Sequence, residues 1–216
     1  MNYVYAILIG YFCGSIPTAW LIAKIFYKIN IFEHGSKNMG STNVYRVLGA
    51  KPFAATLAID VLKGMTAVII STKVFYETMH LPDAPTFVFI STIMALVGHT
   101  LSFWVKFKGG KGVATGLGVF IALSSHAAFS ALGVFLVILF VGRMVSLSSI
   151  CAAASLPFFV WYFKETGIYT PIFTIFTTII ALFVIYKHKS NISRIIKGTE
   201  SKLTLKSEPK PKEDIQ

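Results

Sequence analysis

Apolar residues fill long stretches of this 216-residue chain, and short polar connections separate them. The stretches are about 15 to 22 residues long, close to the ~20 residues that an α-helix needs to cross ~30 Å of hydrocarbon. Helices and closed barrels satisfy every backbone polar group inside a bilayer, and uninterrupted apolar stretches favour helices. The pattern therefore predicts an all-α, polytopic helix bundle that forms one integral membrane domain over residues 1–200.

Seven predicted transmembrane helices account for the apolar stretches. Their ranges are 3–23, 53–72, 86–105, 113–125, 128–142, 148–163 and 169–186. The alternative is that residues 113–142 form a single long tilted helix, because each half of this segment is short for a full crossing. The chain would then cross the membrane one time fewer.

The distribution of basic residues favours the larger number of crossings. With seven, one side of the membrane holds the basic residues of segments 24–51, 106–111 and 143, together with those from residue 187 onward. The opposite side keeps only Lys73 and Lys164. With six crossings, the basic C-terminal segment would lie on the wrong side. The positive-inside rule therefore predicts an N-terminus outside and a C-terminus in the cytoplasm.

Composition agrees with a membrane protein and sets limits on its partners. Hydrophobic residues make up 55% of the chain and charged residues 13%, beyond the ~45–50% apolar share of a soluble domain. The predicted topology and an attraction to anionic membrane lipids are sufficient reasons for the net charge of +11. We therefore expect no nucleic acid partner. Residues 201–216 combine two prolines with mixed charges, the composition of a mobile tail.

Four polar clusters lie in connections on the predicted cytoplasmic side. They are HGSKNMGSTNVYR at 34–46, KFKGGKGVATGLG at 106–118, SLSS at 146–149 and HKSN at 188–191. The connections on the opposite side have the composition of ordinary turns. Because four clusters from different parts of the chain meet on one face, the pattern indicates a binding or active site there.

The glycine cluster of residues 109–112 has the chemistry of a phosphate-binding loop. Without Cβ atoms, Gly109, Gly110 and Gly112 allow backbone N–H groups to turn toward one point, and Lys111 adds a compact charge. The following helix contributes the positive end of its dipole. A flexible connection is the alternative interpretation of the same glycines.

Segment 34–46 supplies a second set of groups suited to an anion. Gly35 and Gly40 are pivots, and Arg46 has the guanidinium fork that grips a phosphate with two hydrogen bonds. The neutral donors are Ser36, Asn38, Ser41, Thr42 and Asn43. Two cationic anchors on separate connections therefore predict that the site binds two anionic groups.

We expect no cofactor. The glycine cluster lacks the G-x-x-x-x-G-K-[ST] pattern of the P-loop, so it does not imply a nucleotide. Cys13 and Cys151 lie in apolar stretches, and no group of His, Cys, Asp or Glu has the spacing of a metal site.

Six segments carry a resemblance to a known family. They are GSIPTAWLIAK at 14–24, HGSKNMGSTNVYRVLG at 34–49, DVLKG at 60–64, the stretch from GH at 98–99 to KFKGGKGVATGLG at 106–118, SLSSI at 146–150 and HKSNISRIIKGTE at 188–200. In this order they resemble the PlsY family of bacterial glycerol-3-phosphate acyltransferases. Ala19 and Trp20 depart from the expected Gly-Tyr, and Ser102 stands where proline is more usual.

The resemblance implies a function. Members transfer a fatty acyl group from acyl phosphate to the sn-1 hydroxyl of glycerol 3-phosphate and form lysophosphatidic acid, the first step of phospholipid synthesis. It also implies a multi-pass enzyme of the bacterial inner (plasma) membrane with seven spans and a site that faces the cytoplasm. The implied partners are the two substrates and membrane lipids, with the enzyme that produces acyl phosphate as a candidate partner.

The resemblance also assigns residues to the site. Catalytic residues are Ser36, Arg46, Lys111, His188 and Asn191. Substrate-binding residues are Gly35, Asn38, Gly40, Thr42, Asn43, Gly109, Gly110, Gly112, Ser148 and Ser149. Lys111 would hold the acyl phosphate and Arg46 the glycerol 3-phosphate, or the reverse. The acceptor of the hydroxyl proton is either His188, which we expect to titrate near neutrality, or the leaving phosphate.

Other polar residues of the spans have structural interpretations. Asp60 and Lys63 are one helical turn apart and are expected to form a pair or to anchor a loop. His99 is expected to support the glycine cluster by hydrogen bonding, and Glu200 to tie the tail to the site. The rival function is a membrane transporter or binding protein for organophosphate anions. A transporter needs access from both faces, whereas these clusters share one.

Overall fold

The computed structural model describes residues 1–165 and 167–203, and its regular structure in these ranges is helical. The α-helices, in chain order, are α1 (Asn2–Ser15), α2 (Thr18–Phe26), α3 (Ser41–Leu48), α4 (Ala50–Thr72), α5 (Ala84–Thr100), α6 (Val113–Leu123), α7 (Ser125–Gly142), α8 (Val145–Phe163), α9 (Thr170–Lys187) and α10 (Lys189–Ile196). A π-helical turn at Lys73–Thr78 prolongs α4, and 3-10 turns lie at Phe103–Val105 and Gly167–Tyr169. The all-α prediction is confirmed for these residues, and most of the predicted mobile tail, residues 204–216, lies outside them.

Six helical segments in the described part of the chain are long and apolar enough to cross a membrane. They are Asn2–Phe26, Ala50–Thr78, Ala84–Val105, Ser125–Gly142, Val145–Phe163 and Thr170–Lys187. The remaining apolar helix, α6, has 11 residues, which corresponds to about 16 Å of helix. An integral membrane bundle is therefore confirmed, whereas seven full crossings and the orientation of the termini stay predictions.

The connection between α6 and α7 decides against a single long helix over residues 113–142. α6 ends at Leu123, and Ser124 leaves helical geometry with φ −157° and ψ 82°. α7 then begins at Ser125. The two helices also have different neighbours, because α6 packs mainly against α4 and α7 mainly against α8.

The first predicted span is two helices rather than one. The chain breaks between α1 and α2 at Ile16 and Pro17, and Pro17 has no N–H with which to continue a helix. The Ile16 carbonyl at the break accepts a hydrogen bond from Lys63 Nζ at 2.8 Å. Lys63 Nζ also lies 2.9 Å from Asp60 Oδ1, and both side chains are buried. The predicted structural pair is therefore confirmed, and each charge has the partner that a membrane interior demands.

Small residues allow the central helices to approach each other closely. Gly10 and Gly14 of α1 lie so near the backbone of α5 that a Cβ atom at either position would overlap it. Gly64 of α4 and Gly118 of α6 meet the opposing backbones in the same way. Such close contacts are typical of helix packing in membranes, where dispersion contacts replace the hydrophobic effect.

Two apolar clusters position the polar connections. The larger joins the spans, and its aromatic centre includes the stacked rings of Phe89 and Phe173, whose centroids are 5.0 Å apart. The smaller holds the segment that contains α3 against α2 and the Phe103–Val105 turn. Its buried members are Ala19, Ala23, Ile29, Ile31, Met39, Val44 and Val105. This smaller cluster fixes segment 34–46 at one end of the bundle.

Candidate active site

A polar cavity of about 770 Å³ lies at the end of the bundle where the four polar clusters meet. Its walls come from segments 36–46, 111–114, 145–149 and 188–203, and Asp60 and His99 also line it. The predicted convergence of four distant clusters on one face is therefore confirmed. All five residues predicted to be catalytic lie on this wall: Ser36, Arg46, Lys111, His188 and Asn191.

The buried amide of Asn43 holds segment 34–46 in shape. Asn43 Nδ2 donates to the carbonyls of Ile31, His34 and Asn38 at 3.3, 3.1 and 3.0 Å, and Asn43 Oδ1 accepts from the Ser36 N–H at 2.7 Å. Both ends of the amide are thus used within the protein. Asn43 reaches the cavity wall. The sequence suggested that it supplies a free donor, but its amide instead shapes the segment.

Gly35 has a structural role for a related reason. Its φ of +58° lies in the left-handed region that favours glycine, and a Cβ atom there would meet Asn43 Oδ1. Gly35 does not line the cavity, and its role in substrate binding stays a prediction. The residues of this segment that do line it, besides Asn43, are Ser36, Asn38, Gly40, Ser41, Thr42, Tyr45 and Arg46. The Ser36 and Arg46 side chains are exposed and available to a ligand.

The glycine cluster contributes less backbone to the cavity than its sequence suggests. The Gly109 N–H donates to the Thr100 carbonyl and the Gly110 N–H to the His99 carbonyl, each at 3.1 Å. These amides are therefore engaged within the protein, and neither glycine lines the cavity. The substrate-binding role of Gly109 and Gly110 stays a prediction. Gly112, at φ +82°, does line the cavity, at the point where α6 begins.

The N-terminus of α6 opens into the cavity beside Lys111. Lys111, Gly112, Val113 and Ala114 follow one another along the wall. The first N–H groups of a helix carry a partial positive charge and favour an anion. The phosphate-binding chemistry predicted for this cluster is thus supported at residues 111–114 rather than at 109–110.

His99 supports the glycine cluster from within the bundle. Its Nδ1 lies 3.1 Å from the Thr115 hydroxyl, and its carbonyl holds the Gly110 N–H. A Cβ atom at Gly110 would collide with His99 Nε2, so the loop can pass over the imidazole only because residue 110 is glycine. This geometry agrees with the supporting role predicted for His99.

The two serines of α8 that were predicted to bind substrate differ in position. Ser149 lines the cavity and donates its hydroxyl hydrogen to the Val145 carbonyl at 2.8 Å. Ser148 is fully buried, donates to the Met144 carbonyl at 2.9 Å and does not line the cavity. The two side chains differ because one residue along a helix turns a side chain by about 100°, and substrate binding by Ser148 stays a prediction.

A chain of hydrogen bonds links Lys111 to the segment that follows α10. Lys111 Nζ donates to Asn191 Oδ1, and Asn191 Nδ2 donates to Glu200 Oε1 at 2.7 Å. The Ser146 hydroxyl donates to the same Glu200 oxygen at 2.7 Å, and Arg194 Nε donates to Glu200 Oε2 at 2.7 Å. The predicted tie between Glu200 and the site is confirmed by these contacts.

Burial and neighbouring charges lower the pKa values of Lys111 and His188, two of the titratable groups on this wall. Burial lowers the pKa of Lys111 to about 8; Glu200 opposes this shift, and the cations Arg194, Arg46 and Lys187 reinforce it. The ammonium group is therefore charged below about pH 8 and loses its proton more easily than an exposed lysine. Such a group attracts anions, and a bound anion favours its charged form.

His188 is neutral at physiological pH. Burial, assisted by the charge of Lys111, lowers its pKa to about 4, so the expectation that it titrates near neutrality is wrong. His188 Nδ1 lies 2.7 Å from the Val184 carbonyl. A carbonyl only accepts, so Nδ1 carries the hydrogen and Nε2 is left as the acceptor nitrogen.

The cavity wall also contains polar residues for which the sequence indicated no individual role. These are Ser146, Ser190, Arg194 and Ser201. Arg194 lies one helical turn after Asn191 on α10. This spacing could have indicated that Arg194 shares a helix face with Asn191 and adds a third cation to Arg46 and Lys111. Within residues 1–165 and 167–203, no three His, Cys, Asp or Glu side chains group closely enough to hold a metal ion.

Comparison with known proteins agrees with this architecture. A family model described as glycerol-3-phosphate acyltransferase matches residues 4–198. The glycerol-3-phosphate acyltransferase of Thermosynechococcus vestitus is 43% identical over 91% of this chain and 92% of its own length. That of Fusobacterium nucleatum is 41% identical over 91% of this chain and 95% of its own length.

Solved structures give the same result. The crystal structure of PlsY, an integral membrane glycerol 3-phosphate acyltransferase, in its glycerol 3-phosphate form has a TM-score of 0.81 and 32% identity, and the match covers 94% of this chain and 96% of that one. The lysophosphatidic acid form of PlsY has a TM-score of 0.78. The helical bundle with its cationic cavity is thus that of an integral membrane acyltransferase. The chain belongs to the glycerol-3-phosphate acyltransferase family.

Proposed function

We propose that this protein transfers a fatty acyl group from acyl phosphate to the sn-1 hydroxyl of glycerol 3-phosphate, forming lysophosphatidic acid and inorganic phosphate. The observation that carries the proposal is a cavity that combines cations for two phosphates with a continuous apolar extension. Arg46, Lys111 and Arg194 lie on its wall. A transporter of organophosphate anions would have no use for the apolar extension.

The apolar extension is a smaller cavity between α6, α7, α8 and α9. It shares Gly112, Leu132 and Ser149 with the polar cavity. Its further wall is formed by side chains of Phe120, Ala128, Ala131, Ala152, Leu156 and Ile180, among others. Small residues on α7 and α8 leave room for a chain of methylene groups, and burying each of these groups contributes about 0.8 kcal/mol.

We infer the positions of the two phosphates from the position of this extension. Because the apolar cavity meets the polar one at Gly112, beside Lys111, the acyl phosphate places its phosphate near Lys111 and the α6 N-terminus. Arg46, with Ser36 and Thr42, then holds the phosphate of glycerol 3-phosphate. This arrangement brings the sn-1 hydroxyl and the acyl carbonyl together between the two anchors, which lowers the barrier by positioning.

The reaction requires one bond to form and one to break. The sn-1 oxygen attacks the acyl carbonyl carbon, the bond from this carbon to the phosphate oxygen breaks, and inorganic phosphate leaves. Lys111 stabilises the negative charge that develops on the carbonyl and leaving oxygens. Acyl phosphate is already activated, so no nucleophile of the enzyme is needed.

The hydroxyl proton goes to the leaving phosphate. With a pKa of about 4, His188 is a weaker base than a phosphate dianion, whose conjugate acid has a pKa of ~6. His188 Nε2 instead accepts a hydrogen bond from the sn-1 hydroxyl and orients it. The role of His188 is thus positioning of the substrate rather than removal of its proton.

We further propose that the protein lies in the bacterial plasma membrane, with the cavity facing the cytoplasm, the N-terminus outside and the C-terminus inside. Lys37, Arg46, Lys111, Lys189 and Arg194 are at or near the cavity end of the bundle, which supports this orientation by the positive-inside rule. The orientation requires α6 to count as a seventh, short crossing in a single domain over residues 1–200.

Purified protein in lipid, supplied with palmitoyl phosphate and labelled glycerol 3-phosphate, tests the reaction. The expected products are lysophosphatidic acid and inorganic phosphate in equal amounts, with no product when palmitoyl-CoA replaces the acyl phosphate. Acyl transfer from palmitoyl-CoA, or uptake of glycerol 3-phosphate into vesicles without acylation, would overturn the proposal.

A further inference from the structure

Glu200 is a nearly enclosed carboxylate at the edge of the polar cavity. Its side chain is 4% exposed, whereas that of its partner Arg194 is 44% exposed. It accepts three hydrogen bonds, from Ser146, Asn191 and Arg194. Burial raises the pKa of Glu200, but these bonds outweigh burial and the pKa is lowered overall, so Glu200 is an anion at neutral pH.

The backbone after α10 is shaped to bring Glu200 to this position. Gly198 has a φ of +68° and turns the chain back. The Thr199 N–H then donates to the Arg194 carbonyl at 2.8 Å, and the Leu203 N–H donates to the Arg143 carbonyl at 2.6 Å. Segment 198–203 is therefore tied at both ends, with Glu200 between the ties.

The contacts of Glu200 determine which way the Asn191 amide points. An ionised carboxylate only accepts hydrogen bonds, so Asn191 must present Nδ2 to Glu200. Its Oδ1 is then directed to Lys111, which only donates. If residue 200 were neutral and able to donate, either orientation of the amide would be possible, and the acceptor for Lys111 would no longer be assured.

The charge of Glu200 also acts on Lys111. The charged groups around Lys111 are the cations Arg46 and Lys187 and the ion pair of Arg194 with Glu200. The titratable His188 lies there too, in its neutral form. Arg46, Lys187 and Arg194 favour loss of the Lys111 proton, whereas Glu200 favours its retention. The carboxylate thus offsets the repulsion among the cations in the empty cavity.

We propose that Glu200 is a positioning residue for Lys111. Glu200 orients the Asn191 amide toward the Lys111 ammonium group and keeps this ammonium group charged until a phosphate binds. The proposal builds on the proposed function, because it concerns the group that receives the acyl phosphate. In the empty enzyme Glu200 keeps Lys111 charged, and in the loaded enzyme the bound phosphate does so.

The direct test measures the ionisation of Lys111 without substrate. Reductive methylation of purified Glu200→Gln and wild-type protein across pH 6 to 10, read by peptide mass spectrometry, gives the reactivity of each lysine, with the exposed Lys51 as internal reference for the reagent. The apparent pKa of Lys111 is expected to be about 8 in the wild type and about one pH unit lower in the variant. Unchanged titration of Lys111 would overturn the proposal.

Two further variants separate charge from folding. Glu165→Gln makes the same substitution at a hydrogen-bonded carboxylate at the opposite end of the bundle and is expected to leave the titration of Lys111 unchanged. The double variant Glu200→Gln/Arg194→Gln removes the ion pair as a unit, so the Lys111 titration should return toward the wild-type value. A double variant as shifted as Glu200→Gln would contradict the charge role.

Kinetics provide a second readout. The KM of Glu200→Gln for acyl phosphate should exceed the wild-type KM by about fivefold at pH 8 and approach it at pH 6, where Lys111 is charged in both proteins. A pH-independent loss would indicate a merely structural role and overturn the proposal. If the wild type itself forms no lysophosphatidic acid, the proposed function fails, whereas the methylation result still decides the role of Glu200.

Discussion

Two carboxylates at opposite ends of the bundle have similar partners but different surroundings. Glu165 accepts hydrogen bonds from the Ser124 hydroxyl and from His126 Nδ1, the latter at 2.5 Å. Glu200 accepts them from the Ser146 hydroxyl, Asn191 and Arg194. Yet the Glu165 side chain is 22% exposed to solvent, whereas that of Glu200 is 4% exposed, and none of the catalytic residues predicted from the sequence is near Glu165.

The comparison shows that burial and neighbouring charge, more than hydrogen-bonding partners, distinguish a functional carboxylate from a structural one. At the Glu165 end, water screens the charges, and the contacts join the start of α7 to the end of α8. At the Glu200 end, the carboxylate is enclosed beside Lys111 and other cations, where electrostatic interactions are stronger because the local dielectric constant is low. Substitutions at the two ends should therefore differ in effect.

The largest difference is expected for the lysines. Lys111→Met removes the charge that we propose holds and activates the acyl phosphate, and kcat/KM should fall by about 1,000-fold. Lys73→Met, at an exposed lysine of the opposite end, should leave the rate unchanged. Steady-state kinetics with palmitoyl phosphate measure both, and comparable rates in the two variants would remove the distinction between the ends.

The histidines sharpen the comparison. His188→Ala should lower kcat by about 100-fold, whereas His188→Gln, whose amide oxygen can still accept a hydrogen bond from the sn-1 hydroxyl, should lose no more than about tenfold. His126→Gln is the matched control and should retain full activity. Equal losses in His188→Ala and His188→Gln would instead assign the proton to the imidazole.

A smaller effect is expected at the second cationic anchor. Arg46→Lys keeps the charge but loses the planar fork, so the KM for glycerol 3-phosphate should rise by about tenfold with little change in kcat. Arg143→Lys, outside the cavity wall, is the control. A rise in the KM for acyl phosphate rather than for glycerol 3-phosphate would exchange the two phosphate sites.

The smallest effect is expected for Glu165→Gln, which should leave turnover intact and cost under about 1 kcal/mol of stability. Burial raises the pKa of Glu165, but the bonds from Ser124 and His126 outweigh it and lower the pKa overall. A lowered carboxylate pKa stabilises the fold above the unfolded value of ~4.3 and loses this contribution as pH falls through the folded value. The difference in Tm between wild type and variant should therefore shrink in acid.

The main features of the fold were predictable because they follow from single segments. Apolar length identified six of the spans, and the composition of the connections placed four polar clusters on one face. The break at Ile16 and Pro17 was not predicted, although Pro17 is visible in the sequence. The break is stabilised by Lys63 of another helix, which donates to the Ile16 carbonyl, and this contact is not apparent from the sequence.

The long polar and charged residues predicted for the site reach the cavity, whereas several of the small residues do not line it. Arg46, Lys111, His188 and Asn191 reach the cavity, since long or polar side chains at the end of a membrane bundle have few other stable places. Gly109 and Gly110 instead hydrogen-bond to the end of α5. Whether a glycine amide faces a ligand or another carbonyl depends on which helix passes beneath it.

The amino-acid sequence alone determined that this protein is a helical membrane bundle with a basic, oxygen-rich site at one end, because hydrophobic length and charge are local properties of the chain. Only the tertiary structure decided that Asn43 and Gly35 shape a loop, that His188 is neutral and that Glu200 lies beside Asn191. Those roles depend on which groups from distant segments share a space without water, and burial there sets both hydrogen bonding and charge.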